Sequence, residues 1–280
     1  MTIDAQISQL GLTVWGNDSP AAEISQIGLT VWARLPKVTT YYVWPFRILK
    51  PVKVRAYRIG TAKAGPIAAD GAQQQWSRTD GGGIWRMDCS FNIYSIDEVR
   101  ALRAWSSYLD HGAQAFIMPL IDLHFAPRDL VGGELRKPGP TAAASDYFSE
   151  VAAYDTPIVI AEIVQAAALR ATSIRVQITQ GSAPRGGEHL SINHPTAGWR
   201  MYEVGRITAQ LSGDIFDMDI RPPLREAVTI GSGNPPVEYD IPRVLMRLHP
   251  DTAPQLAAGI TNFRVGEQLS VSFIEHFDAG

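Results

Sequence analysis

Three groups of residues in this chain carry side chains able to do chemistry. Asp214, Asp217 and Asp219 could ligate a cation or move protons, the work of clustered carboxylates. On a strand, Asp217 and Asp219 point the same way, opposite Phe216, Met218 and Ile220, so a solvated outer face accounts for them without such a role. Glu188, His189 and His194 form the second group. Four residues separate its histidines on a strand-and-loop segment, unlike the i, i+4 histidine pair that a helix offers to a metal. Glu275, His276 and Asp278 form the third, close to the end of the sequence, where fraying argues against a precise catalytic site. No nucleophile elbow, phosphate loop or dinucleotide fingerprint occurs, and Gly81-Gly82-Gly83 lacks the strand-to-helix setting those motifs require. Of the seven tryptophans, Trp44, Trp76 and Trp199 have no core assignment and could stack on a sugar. The expectation is no catalytic residue, no metal site and no cofactor.

Composition narrows the classes further. The 280 residues carry a formal charge of -3, and basic residues read as scattered, so nucleic-acid recognition is not expected. The lone Cys89 excludes an intramolecular disulfide framework; strand alternation puts it on an apolar face, as a buried and inert thiol. The sequence opens without a secretory signal pattern. Its most apolar stretch, Pro157 to Leu169, is interrupted by Glu162 and Gln165 and is too short to span a bilayer. A soluble protein made in the cytoplasm, with no membrane partner, is expected.

The elements that must position these residues are mostly strands. Nineteen prolines and 24 glycines spread along the chain favour many short strands and turns. Ala5–Trp15 returns as Ala22–Trp32 with only two of eleven positions changed, and each copy alternates with period two. One face reads Leu10, Leu12 and Val14 (Ile27, Leu29 and Val31), and Trp15 (Trp32) lies on the other. Two such strands cannot bury an apolar face alone, so they need a sheet of their own or a neighbour's. Trp85 to Ile93 alternates as a half-buried strand. Ser95-Ile96-Asp97-Glu98 has capping-box spacing with Tyr94 and Val99 at staple positions, and Val99, Leu102, Trp105 and Leu109 give a helix over about 96–110 that Gly112 ends. The predicted fold is mainly β (α+β), with sandwich or small-barrel elements and this one prominent amphipathic helix. Its divisions are an arm over 1–36 and a β body over 37–280. Within the body come strand–helix–strand at 84–120, a long loop at 128–156, a barrel-like segment at 172–230 and closing strands at 237–277. The Gly60–Gly83 stretch reads as an exposed, mobile loop.

The order of these elements resembles a known family. Glu98–Leu109, Gly112 and Phe116–Pro119 look like the helix, turn and apolar strand of distal-tail or tail-hub minor tail proteins of long-tailed phages. Gly187–Ile192 and Trp199–Val204 resemble that family's small-barrel strands, Ile220–Arg225 its Pro-Pro-Leu-Arg corner, and Val244–Leu248 with Val271–Glu275 its closing strands. The likeness runs from Trp85 to Phe277; the repeated arm and the Arg128–Thr156 loop depart from it. The resemblance implies a structural virion protein at the tail tip, without enzymatic activity or cofactor. It would form a homo-oligomeric, usually six-fold ring joining the tail tube protein to hub or tip proteins, with the tape measure protein as a further neighbour. Partner contacts are then expected from the arm, through Leu10, Leu12, Val14, Trp15, Ile27, Leu29, Val31 and Trp32. Two alternatives stand beside this reading. One is a carbohydrate- or receptor-binding tail module using Trp44, Trp76 or Trp199; the other is a polysaccharide hydrolase using Asp217 or Glu188.

Overall fold

The structure is a computed structural model that describes residues 21–26, 29–34, 41–60, 63–64, 77–78, 82–139, 146–151, 153–231, 233–252, 256 and 268–277. The chain divides into two compact units, residues 1–40 and residues 41–280.

In the first unit, β1 (Ala21–Gln26) and β2 (Leu29–Arg34) pair antiparallel, from Ala21↔Arg34 to Gln26↔Leu29. The second copy of the repeat, expected as a single strand, is therefore two strands flanking residues 27–28. The sequence holds a competing signal there: a two-residue link with glycine second is among the shortest ways to join antiparallel strands. Leu29, Val31 and Trp32 lie on β2, opposite Gln26, Ile24 and Glu23. Leu10, Leu12, Val14, Trp15 and Ile27 lie outside the described residues.

The second unit is mainly β, and one α-helix has its full extent among the described residues. Its elements are β3 (Lys53–Ile59), β4 (Lys63–Ala64), β5 (Ser77–Arg78), β6 (Ile84–Asn92), α1 (Ile96–Leu109) and β7 (Ala115–Pro119). They continue with β8 (Leu130–Val131), β9 (Glu134–Leu135), β10 (Ile160–Ile163), β11 (Ser173–Gln180), β12 (His189–His194) and β13 (Gly198–Ser212). Last come β14 (Ile215–Arg221), β15 (Pro236–Glu238), β16 (Arg243–Leu248) and β17 (Gln268–Glu275). Five of these make an antiparallel sheet in the order β3-β6-β17-β16-β7. Six close a barrel, β10-β11-β14-β13-β12-β15. The barrel thus reaches beyond the expected 172–230 segment, because β10 and β15 pair with each other and shut it. Three register shifts along β13 allow so long a strand to bend around the barrel.

Local sequence explains the sheet layer. In β6, Trp85, Met87, Cys89 and Phe91 are buried while the residues between them are only half-buried, as period-two alternation dictates. The Ser95 hydroxyl accepts from the Glu98 amide at 3.2 Å, and the Glu98 carboxylate takes the Ser95 amide at 3.2 Å, so the capping box forms. The staple does not: Tyr94 is 67% exposed, and its backbone amide donates to Glu98 instead. Ala101, Leu102, Trp105 and Leu109 form the buried stripe of α1. Beyond the helix Gly112 has φ +99, and a Cβ there would sit 2.8 Å from the Leu248 carbonyl, so only glycine fits the exit. Trp44 is the centre of this core, 1% exposed, with its ring 5.0–5.6 Å from those of Phe91, Trp105, Phe116 and Phe273.

Two stretches expected as loops carry short ladders. β4 pairs with β5 within the 60–83 excursion, prolonging the β3–β6 hairpin. β8 pairs with β9 around Gly132 and Gly133, closed by a two-pronged Arg136–Asp129 contact at 2.8 and 2.9 Å. Tyr147 and Phe148 pack on the sheet core, and Trp105 donates to the Tyr147 carbonyl at 2.8 Å.

Candidate functional site

The barrel and the sheet meet at a junction built around Glu275, the last residue of β17. Its carboxylate has no exposed surface, and it accepts from the Trp85 amide at 3.0 Å, from Arg225 at 3.2 Å and from Arg200 at 3.4 Å. Arg200 on β13 also donates to the His276 carbonyl, and Arg225 donates to the Gly83 carbonyl. Both guanidinium groups lie over the Phe277 ring, at 4.5 and 5.0 Å. The Trp85 indole bonds the Met201 carbonyl at 2.7 Å, and Arg58 on β3 reaches Glu203 on β13 at 3.0 Å. Burial pushes the Arg200 guanidinium below its ordinary value, and Glu275 opposes the shift. Glu275, read from the sequence as too near its end for a precise catalytic site, is the most buried carboxylate in an ion pair among the described residues and ties the two layers together, while Asp278 lies outside those residues. The signal that could have found it is the alternation of β17, which puts Glu275 on the face of Leu269, Val271 and Phe273.

A cleft of about 800 Å³ opens beside this joint, lined by Arg58, Trp85, His189, Glu203 and Arg221 among others. Its one carboxylate, Glu203, is held by Arg58, and His189 faces Asp122 at 3.3 Å. Gly82 packs so closely on Pro222 and Pro223 that a side chain there would collide with Pro223.

The other sequence candidates are also committed elsewhere. Asp217 accepts two hydrogen bonds from Arg175, at 2.7 and 2.9 Å, which hold its carboxyl below the usual range. Asp214 takes Gln177 and Ser212, and Asp219 lies 3.7 Å from Arg206. Glu188 is buried and closes the preceding turn by accepting the Arg185 and Gly186 amides. The two histidines of β12 diverge: His189 meets Asp122 and the edge of Trp85, whereas His194 bonds the buried Tyr202 hydroxyl at 2.8 Å. No group of three or more metal-ligating side chains occurs among the described residues. Trp199 lies under the Arg243 guanidinium at 4.3 Å, and Trp76 is outside the described residues. Burial pushes the Cys89 thiol up to about 12, consistent with an inert side chain.

What remains open is an edge. The barrel is closed, and β7 at one end of the sheet is bridged to Val43 with hydrogen bonds on both sides of Ile117. Among the described residues β3 pairs only with β6, so its outer rim of main-chain groups has no strand beside it. Lys53, Val54, Arg55 and Tyr57 on it are exposed. Where β3 begins, a groove of about 450 Å³ runs between Leu49–Val52 and Phe91–Tyr94, with Val52 63% exposed at its rim. No known protein family matches the chain, and no curated protein sequence matches it.

Proposed function

We propose that this protein is an architectural component of a phage tail tip, a ring or hub subunit that joins the tail tube to the tip or baseplate. The β3 edge carries the reading: among the described residues it is a hydrogen-bonding rim with no strand beside it, on a body whose barrel is closed and whose other sheet edge is bridged. Strand addition at such a rim supplies main-chain bonds, while alternate side chains set partner choice. The alternating segment Ala5–Trp15 supports it, since it offers the strand-forming pattern such an edge accepts, whereas its copy at Ala22–Trp32 is already paired with itself as β1 and β2. Closed rings arise when one patch of a subunit binds a different patch of the next. The ion-paired joint at Glu275 suits a part that must hold its two layers at a set angle under load. Deleting residues 1–36 is expected to abolish oligomers, read by mass photometry and by incorporation into particles. Oligomers of unchanged size from the truncated chain would sink the reading.

A further inference from the structure

The segment from Arg47 to Lys63 contains Arg47, Lys50, Lys53, Arg55, Arg58 and Lys63 and no Asp or Glu, in a chain whose net charge is -3. Within it lies the open strand β3, where Lys53 and Arg55 are exposed. Arg58 is paired with Glu203, but Lys50, Lys53 and Arg55 form no ion pair among the described residues. Lysine and arginine along an edge strand are a familiar guard against pairing with a second copy of the same edge, because like charges would face each other. They guard against a basic strand only. The first 33 residues of the chain hold Asp4, Asp18 and Glu23 and no Lys or Arg.

We propose that the basic β3 edge of one copy is the acceptor for the arm segment Ala5–Trp15 of a second copy, an uncharged stretch flanked by Asp4 and Asp18, added as a sixth strand to the sheet. The proposal rests on the assembly reading above and names which stretch of the arm fills that edge and from which copy it comes. The lengths agree. Seven residues of β3 span roughly 23 Å at about 3.3 Å per residue, and the eleven residues Ala5–Trp15, drawn out along the edge instead of folding back on themselves as their second copy does, cover it with several to spare. The groove at the start of β3, where Leu49, Val52, Phe91 and Ile93 lie beside Arg47, Lys50 and Glu98, then receives a side chain running off the end of the added strand, and Trp15 closes that alternation. Pairing of arm to edge joins two different patches, so it propagates around a ring, whereas edge-to-edge pairing would stop at a dimer.

The test uses the full chain. Leu12→Cys and Val54→Cys are made in separate chains, mixed and oxidised; a disulfide-linked pair of the two variants is expected, with the buried Cys89 unreactive. In parallel, Lys53→Glu with Arg55→Glu is expected to weaken oligomer formation at least tenfold in mass photometry. Asp4→Lys with Asp18→Lys in the same chain should restore it. Circular dichroism of the charge-reversed chain verifies that the exposed substitutions leave the fold intact. If removing the arm abolishes oligomers while charge reversal and the cysteine pair have no effect, the acceptor assignment falls and the assembly reading survives. If oligomers persist without the arm, both fall.

Discussion

His194 shows how one buried side chain sets a pH limit. Burial, seconded by the nearby Arg200 charge and opposed by Glu226, pushes its pKa down from 6.5 to about 4. The Tyr202 hydroxyl accepts the Arg225 amide at 3.1 Å, which leaves its own proton for the imidazole Nε2 and favours the neutral ring. Because the folded pKa lies below the unfolded one, the neutral ring contributes its full stabilisation above pH 6.5 and loses it as pH falls toward 4. The loss is on the order of 3 kcal/mol. Urea unfolding of the protein at pH 7 and pH 4.5 should show this drop, and His194→Gln should flatten that part of the profile. An unchanged profile in the variant would assign the acid sensitivity elsewhere. Glu150 adds the opposite sign: it is buried with neither oxygen bonded, burial raises its pKa with Arg47 opposing, and its contribution declines as pH rises.

At the scale of elements, α1 is the piece with the clearest local cause. Its capping box satisfies orphan amides at the first turn, and Asp97 and Glu98 lie where the helix dipole favours negative charge. Replacing Ser95 by alanine should cost about 1 kcal/mol. In a body of this size that is a fall of roughly 2–4 °C in Tm by calorimetry. A fall of that size together with an unchanged sheet signal would locate the effect in the helix; no fall would mean that packing of Trp105 alone holds α1. β3 is the contrasting element. Its sequence is as strand-like as that of β6, yet among the described residues only one of its sides is paired.

At the scale of the whole 41–280 unit, two hydrophobic cores are present, one under the sheet and one inside the barrel. They are joined through β13, which gives Met201 to the sheet core and Tyr202 and Val204 to the barrel core. The Glu275 cluster crosses the same boundary. Glu275→Gln leaves the buried Arg200 and the half-buried Arg225 beside a neutral partner, a change expected to cost on the order of 3–5 kcal/mol. Native-state hydrogen exchange should then separate the two layers, with barrel and sheet amides opening at different free energies where the parent protein opens them together. Joint opening in the variant would show that β13 alone couples them.

Much of this was legible in the chain. Alternation in Trp85–Ile93, in Ile174–Thr179 and in Ile215–Ile220 determines which face each strand buries, because a pleated strand allows only two. The Ser95–Glu98 spacing likewise determines where α1 begins, since the cap is a contact over three residues. Tertiary structure decided what no local pattern encodes. Trp44 became the centre of a core, β10 and β15 closed a barrel, and Glu275 met two arginines 50 and 75 residues away. It also decided which strand was left at an edge, for pairing between distant segments depends on loop closure and shared burial, and neither has a period that a single stretch of sequence displays.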